Sequence, residues 1–129
     1  MYKETRELIK ECLRILRQPP LVSIMEWANQ YRVLDTTSAK EVGKFNVERT
    51  PYMIEIYEKI TKGETKQVTL MMAAQLAKSE LIINTILRYA HLDPCPMLIV
   101  QPTDEMARSF SKERIQPAIN NSVLNTIIK

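Results

Sequence analysis

Gln67-Val68-Thr69-Leu70-Met71-Met72-Ala73-Ala74-Gln75-Leu76-Ala77-Lys78-Ser79-Glu80 is the stretch on which the fold turns. One reading makes 67–72 a short, buried strand, 73–77 a tight loop, and Lys78 to His91 a helix carrying Leu81, Ile82, Ile83, Ile86 and Leu87. The other makes Met71 to Leu92 a single uninterrupted helix. No glycine interrupts that stretch, and Ala, Gln, Leu, Lys and Glu are good helix formers. The first reading gives an α/β chain and the second an all-α one.

Downstream, Asp93 and Pro94 end the helix. Met97-Leu98-Ile99-Val100-Gln101 is a mostly apolar run of strand length, followed by a Pro102-Thr103 turn and a helix from Asp104. Strand, helix and strand in that span fit one βαβ unit, with a parallel pair joined by a right-handed crossover. Two strands do not finish a sheet, so the sheet is expected to be incomplete, with open edges available for self-association.

Upstream, residues 3–17 set Leu8, Ile9, Cys12, Leu13, Ile15 and Leu16 among Lys, Glu and Arg. This is the spacing of an amphipathic helix, stopped by Pro19 and Pro20. Ser23 followed by Glu26 forms a capping box for a second helix, whose apolar face begins at Met25 and Trp27. Val33 to Arg49 loses all periodicity and reads as a surface-hugging loop. Thr50 then caps a third helix with Pro51 at its first position and Gly63 just past its end. Residues 1–50 are thus a helical segment with a loop, and 51–129 the start of the α/β part, within one domain.

At 129 residues, 45% hydrophobic and 26% charged, the composition is that of a globular domain. No apolar run reaches the roughly 18–20 residues of a membrane helix, and charges at Lys3, Glu4, Arg6 and Glu7 come too early for a signal segment. A net charge of +3 is compatible with nucleic acid without demanding it. Cys12 and Cys95, with His91 the lone histidine, lack zinc-ligand spacing and read as reduced thiols in a cytosol.

The chemistry gathers at Ala73-Ala74-Gln75-Leu76-Ala77-Lys78-Ser79, where a P-loop (Walker A) would sit. Such a loop needs converging backbone N–H groups, a lysine for the terminal phosphates, and a hydroxyl for Mg²⁺. Lys78 and Ser79 supply the last two. The standard pattern has glycines at the positions of Met72 and Ala77, and a positive φ at an alanine costs about 1–2 kcal/mol. Lys-Ser on a helix face is otherwise a common solvated pair.

Glu26-Trp27-Ala28-Asn29-Gln30-Tyr31-Arg32-Val33-Leu34, Arg49-Thr50-Pro51-Tyr52, Ala74-Gln75-Leu76-Ala77-Lys78-Ser79-Glu80, Val100-Gln101-Pro102-Thr103-Asp104-Glu105-Met106-Ala107 and Phe110-Ser111-Lys112-Glu113-Arg114 are five words in sequence. In order and spacing the chain resembles the N-terminal part of the large terminase subunit of tailed bacteriophages, the ATP-driven motor that packages DNA into the procapsid. The resemblance implies N-terminal helices followed by the first βαβ unit of a P-loop NTPase, helicase-like motor fold. It implies ATP and Mg²⁺ as cofactors, with Lys78 on the phosphates and Ser79 on the metal. Ala73, Ala74, Gln75, Leu76, Ala77 and Glu80 would line the loop, and Tyr52 would be a stacking residue for the base unless it is simply core. Gln101 and Thr103 would face DNA, or else be a buried strand and an N-cap.

The implied partners are double-stranded DNA, the small terminase subunit and the portal protein, in the cytoplasm of a bacterial host and with no membrane. The family's acidic strand and nuclease lie beyond Lys129, so this chain alone is expected not to turn over ATP. The alternative is a non-enzymatic remnant or protein-interaction module that no longer binds nucleotide. Of the remaining residues, Trp27 reads as an anchor for the second helix and His91 as a partner of the last helix carbonyls. Lys59, Lys62 and Lys66 read as a solvated face. Arg108, Lys112 and Arg114 are placed either on a phosphate backbone or among the acids Asp104, Glu105 and Glu113 that dilute them. The helix at 3–17 is either packed on the body or a docking element for the small subunit.

Overall fold

Lys78–Leu92, a helix of 15 residues, organises the molecule. A computed structural model describes residues 3–16, 21–34 and 42–127. In chain order the helices are α1 (Lys3–Ile15), α2 (Ile24–Tyr31), α3 (Ile54–Thr61), α4 (Lys78–Leu92), α5 (Asp104–Phe110), α6 (Gln116–Asn120) and α7 (Leu124–Ile127). None is long and apolar enough to cross a membrane.

The core lies where α2 packs against both α3 and α4. Helical spacing puts Ile24, Trp27 and Ala28 on one stripe of α2, and all three are fully buried. They meet Met53 and Tyr57 from the third-helix region and Leu81, Ile83 and Leu87 of α4 in one cluster. Each large side chain so buried contributes about 1.5–3 kcal/mol. The capping box opens α2: Ser23 Oγ accepts the Glu26 N–H at 3.0 Å, and the Glu26 carboxylate accepts the Ser23 N–H at 2.9 Å. The bond from the Ser23 backbone is the main cause that holds the Glu26 carboxyl below its ordinary range.

The stretch expected as a loop is more ordered than its composition suggests. Val33–Leu34 (β1) pairs antiparallel with Gly43–Lys44 (β2), Val33 opposite Lys44; residues 35–41 between them lie outside the described part. Phe45 and Val47 are buried beside it, the latter in a 3₁₀ turn over Val47–Arg49. A second 3₁₀ turn, Pro51–Met53, leads into α3. Pro51 takes the expected first position, but Thr50 does not cap: its hydroxyl donates back to the Val47 carbonyl at 3.3 Å. Gly63 closes α3 with φ +68°.

Two expectations about the decisive stretch change. The single helix from Met71 is ruled out, because α4 starts only at Lys78, behind the left-handed residues Gln75 (φ +63°) and Ala77 (φ +57°). The parallel pair is also not formed: neither 67–72 nor 97–101 is a strand, and the described sheet is only the antiparallel β1–β2 pair. Nor is 67–72 buried as a whole, since Met71 is 96% exposed. Both segments instead flank α4 around an open groove of about 560 Å³, lined by Val68 and Leu70 on one side and Met97 to Gln101 on the other. A strand needs a neighbour's N–H and C=O groups at about 4.7–4.9 Å, and no such ladder joins the two segments that were expected to pair. The result is mostly helical and compatible with an α/β chain.

The helix expected from Asp104 does form but is not regular. After α5 the chain makes a π turn over Ser111–Ile115, sealed by the Gln116 N–H to the Ser111 carbonyl, before α6 resumes. Pro117 supplies a local cause: without an N–H it cannot close the bond to the Glu113 carbonyl, and its ring crowds that oxygen. In α1, the apolar stripe found in the sequence is largely uncovered, with Leu8 62% and Leu13 60% exposed.

Candidate functional site

The loop 73–77 and the first turn of α4 build a groove of about 480 Å³, lined by Gln75, Leu76, Ala77, Lys78, Ser79, Glu80 and Arg114. Its shape begins with backbone conformation. Ala77, the N-cap residue of α4, has φ +57° and ψ +17°, the left-handed geometry expected of a glycine. Ala77 therefore retains the loop's backbone at a cost of about 1 kcal/mol, the penalty of a Cβ in that region. No side chain caps α4, so its first N–H groups and the positive end of its dipole open onto the groove, an arrangement suited to an anion.

Lys78 is folded over the loop. Its Nζ donates to the Met72 carbonyl at 2.8 Å and to the Ala73 carbonyl at 2.7 Å. Those bonds keep the ammonium at the mouth of the groove and tie the end of the extended segment to the start of α4. An anionic ligand would compete with two neutral carbonyls for it, and a phosphate adds the attraction of opposite full charges that a carbonyl lacks. Ser79 follows on the exposed part of the first turn.

Behind the groove runs a buried polar chain with no sequence signal. Arg32, 1% exposed, ion-pairs through its guanidinium with Glu80 at 2.6 Å. Its Nε donates to Asn84 Oδ1 at 2.9 Å, and Asn84 Nδ2 in turn donates to the Tyr57 hydroxyl at 2.9 Å. Burial, the largest cause, pushes the Tyr57 hydroxyl up to about 12, so it stays protonated at neutral pH. Among the described residues no buried side-chain N or O atom lacks a partner. Glu80 is thus committed to Arg32 as well as lining the groove, which fixes the first turn of α4 to the core. Nothing in the spacing of Arg32, Tyr57 and Asn84 could have announced this, because their contacts join residues far apart in sequence.

The other expected site residues scatter. Tyr52 is 47% exposed on the 3₁₀ turn before α3 and does not line the Lys78 groove; the fully buried tyrosine is Tyr57. Thr103 caps α5, its hydroxyl accepting the Met106 N–H at 3.2 Å. Gln101 lines the apolar groove against α4 instead. Arg108 and Lys112 are exposed on α5 and the π turn. Arg114, grouped with them by sequence, is the basic residue that the fold brings to Lys78 and Ser79. His91 is not a partner of the helix carbonyls: its Nδ1 accepts the Trp27 Nε1–H at 2.9 Å. Burial holds its pKa below the ordinary histidine value. Trp27 is the anchor expected, wholly buried and edge-packed against His91.

Residues 39–127, which include the loop, α4 and the π turn, match the family described as phage terminase large subunit gpA, ATPase domain. The chain belongs to that family. It is 24% identical over 116 residues to the terminase large subunit of Escherichia phage lambda, covering 90% of this chain and 18% of that relative. It is 23% identical over 109 residues to the terminase large subunit of Enterobacteria phage P21, covering 84% of this chain and 16% of the relative. The chain thus spans less than a fifth of the length of these terminase subunits. No solved structure matches it. Membership of the ATPase domain family gives the groove at α4 its chemical context, since nucleotide use is what that domain's description names.

Proposed function

We propose that this chain is a nucleotide-binding part of a phage terminase large subunit, the motor that drives viral DNA into the procapsid. The observation that carries the reading is the groove at the start of α4. It combines an uncapped helix N-terminus, the Lys78 ammonium and the Ser79 hydroxyl behind a loop held left-handed at Gln75 and Ala77. In this reading Lys78 leaves the carbonyls of Met72 and Ala73 for the terminal phosphates of ATP. The backbone N–H groups of Ala77, Lys78 and Ser79 take further phosphate oxygens.

The donor set suits Mg²⁺, a hard cation that takes oxygen ligands and keeps several waters, so that one hydroxyl is a sufficient protein contribution. Ser79 would hold the ion, which when bound neutralises charge on the phosphates. Tyr52 does not line the groove, and its base-stacking role rests on family membership. The wider assignments rest on family membership: double-stranded DNA near Gln101, Thr103, Arg108 and Lys112, the small terminase subunit and the portal protein as partners, and the cytoplasm of the bacterial host as location. The exposed stripe of α1 is the surface this reading gives to the small subunit.

A second reading is favoured by the apolar segment at Leu98 and Val100, 88% and 79% exposed. Here the chain is an interaction module, associating through the uncovered segments beside α4. One measurement separates the two. Calorimetric titration of a non-hydrolysable ATP analogue with Mg²⁺ into the wild-type chain is expected to show binding that falls at least tenfold in Lys78→Ala. Absence of binding in the wild type overturns nucleotide binding by this chain and leaves the module.

A further inference from the structure

We propose that Arg114 is a phosphate-contacting residue of the Lys78 groove, delivered there by the π turn of Ser111–Ile115. The inference rests on reading that groove as a phosphate site, and it adds a residue from a second helical element. Among the described residues, every other lining residue belongs to the continuous run Gln75 to Glu80, and Arg114 comes from elsewhere in the chain. The groove therefore has two basic groups on different elements, Lys78 from α4 and Arg114 from the turn between α5 and α6.

The backbone explains the delivery. An α-helix advances about 100° per residue, so an i→i−5 turn rotates what it carries by roughly that angle relative to an unbroken helix. The bond from the Gln116 N–H to the Ser111 carbonyl shows the wider turn directly. Pro117 favours the break in the helix, because it lacks the N–H that would bond the Glu113 carbonyl and its ring crowds that oxygen. Lys112, two residues earlier, does not line the groove; residues two apart point about 200° apart around a helix, so the two basic residues lie on different faces.

A guanidinium suits the position: it stays charged at any accessible pH and offers a planar fork of donors that phosphate oxygens accept in pairs. Lys78 serves as a mobile point charge, whereas Arg114 fixes the orientation of the phosphates it contacts. Glu80 also lines the groove, and its carboxylate is ion-paired with Arg32.

The test uses two probes, inorganic tripolyphosphate and a non-hydrolysable ATP analogue with Mg²⁺, on the whole chain. Binding is expected to weaken at least tenfold in Arg114→Gln and less than twofold in Lys112→Gln, which removes the same charge from the same turn. In the wild-type chain the Arg114 side-chain N–H resonance should shift on titration, a readout that does not depend on any variant folding. Equal losses in the two variants, or a resonance that stays in place while the probe binds, overturn the proposal alone. Arg114-dependent binding of tripolyphosphate without binding of the ATP analogue keeps the proposal and sinks the nucleotide reading. No response of the wild type to either probe overturns both.

Discussion

The two sides of α4 are built to different standards. On its buried side it carries Ile83, Asn84, Leu87 and Arg88, with Leu81 buried at the edge of the open groove, and every buried polar side-chain atom among the described residues has a partner. Toward 67–72 and 97–101 it presents Ile82, Thr85 and Ile86 to an open groove, where Met71, Leu98 and Val100 stand largely in solvent. One face of the helix is fully packed through contacts with α2 and with Tyr57 of α3, while the opposite face is left apolar and unfinished. The Lys78 groove sits at the N-terminal end of α4. It inherits rigidity from the finished side through the Glu80–Arg32 pair, and its loop hangs from the unfinished side through Lys78 and the carbonyls of Met72 and Ala73.

The largest expected effect tests the finished side. Trp27→Ala removes a wholly buried side chain and leaves the His91 Nδ1 acceptor without its donor. Chemical denaturation should show a loss of about 3–5 kcal/mol. A loss under about 1 kcal/mol would mean that α2 is not locked against α4, and the contrast between the two sides would collapse.

An intermediate effect probes the junction. Ala77→Gly relieves a Cβ held at φ +57° and should raise stability by about 1 kcal/mol in the same assay. A drop would show that the left-handed loop is not the conformation in solution.

The smallest effect is expected on the unfinished side. Leu98→Ser combined with Val100→Ser alters two side chains that are 88% and 79% exposed. It should leave the unfolding free energy within about 0.5 kcal/mol per site of wild type. Sedimentation of both forms sharpens the point: if the wild type self-associates and the double variant does not, the exposed segment is an interface.

Much of the helical framework was legible from residues. The α2 capping box, the Gly63 stop and the strain at Ala77 each depend on a few consecutive residues whose backbone preferences act locally. The loop's ability to hold Lys78 and Ser79 at a helix start was legible for the same reason. The strand readings at 67–72 and 97–101 were not sound guides, because apolar content marks a segment that wants burial without saying which neighbour will provide it. Tyr52 and Tyr57 show the same limit: both fall in the apolar pattern of one region, yet only Tyr57 reaches the core.

By itself, then, the sequence determined the α2 capping box and the Gly63 stop, and in one of its two readings it put Lys78 and Ser79 at the N-terminus of α4. Propensity, capping and φ restrictions operate over a few residues and need no partner. Only the tertiary structure decided that Arg32 would anchor Glu80, that His91 would accept from Trp27, that the two apolar segments would stay apart, and that Arg114 rather than Lys112 would line the groove. Each of those depends on groups brought together from distant points of the chain, and side-chain hydrogen bonds and packing act only between atoms already in contact.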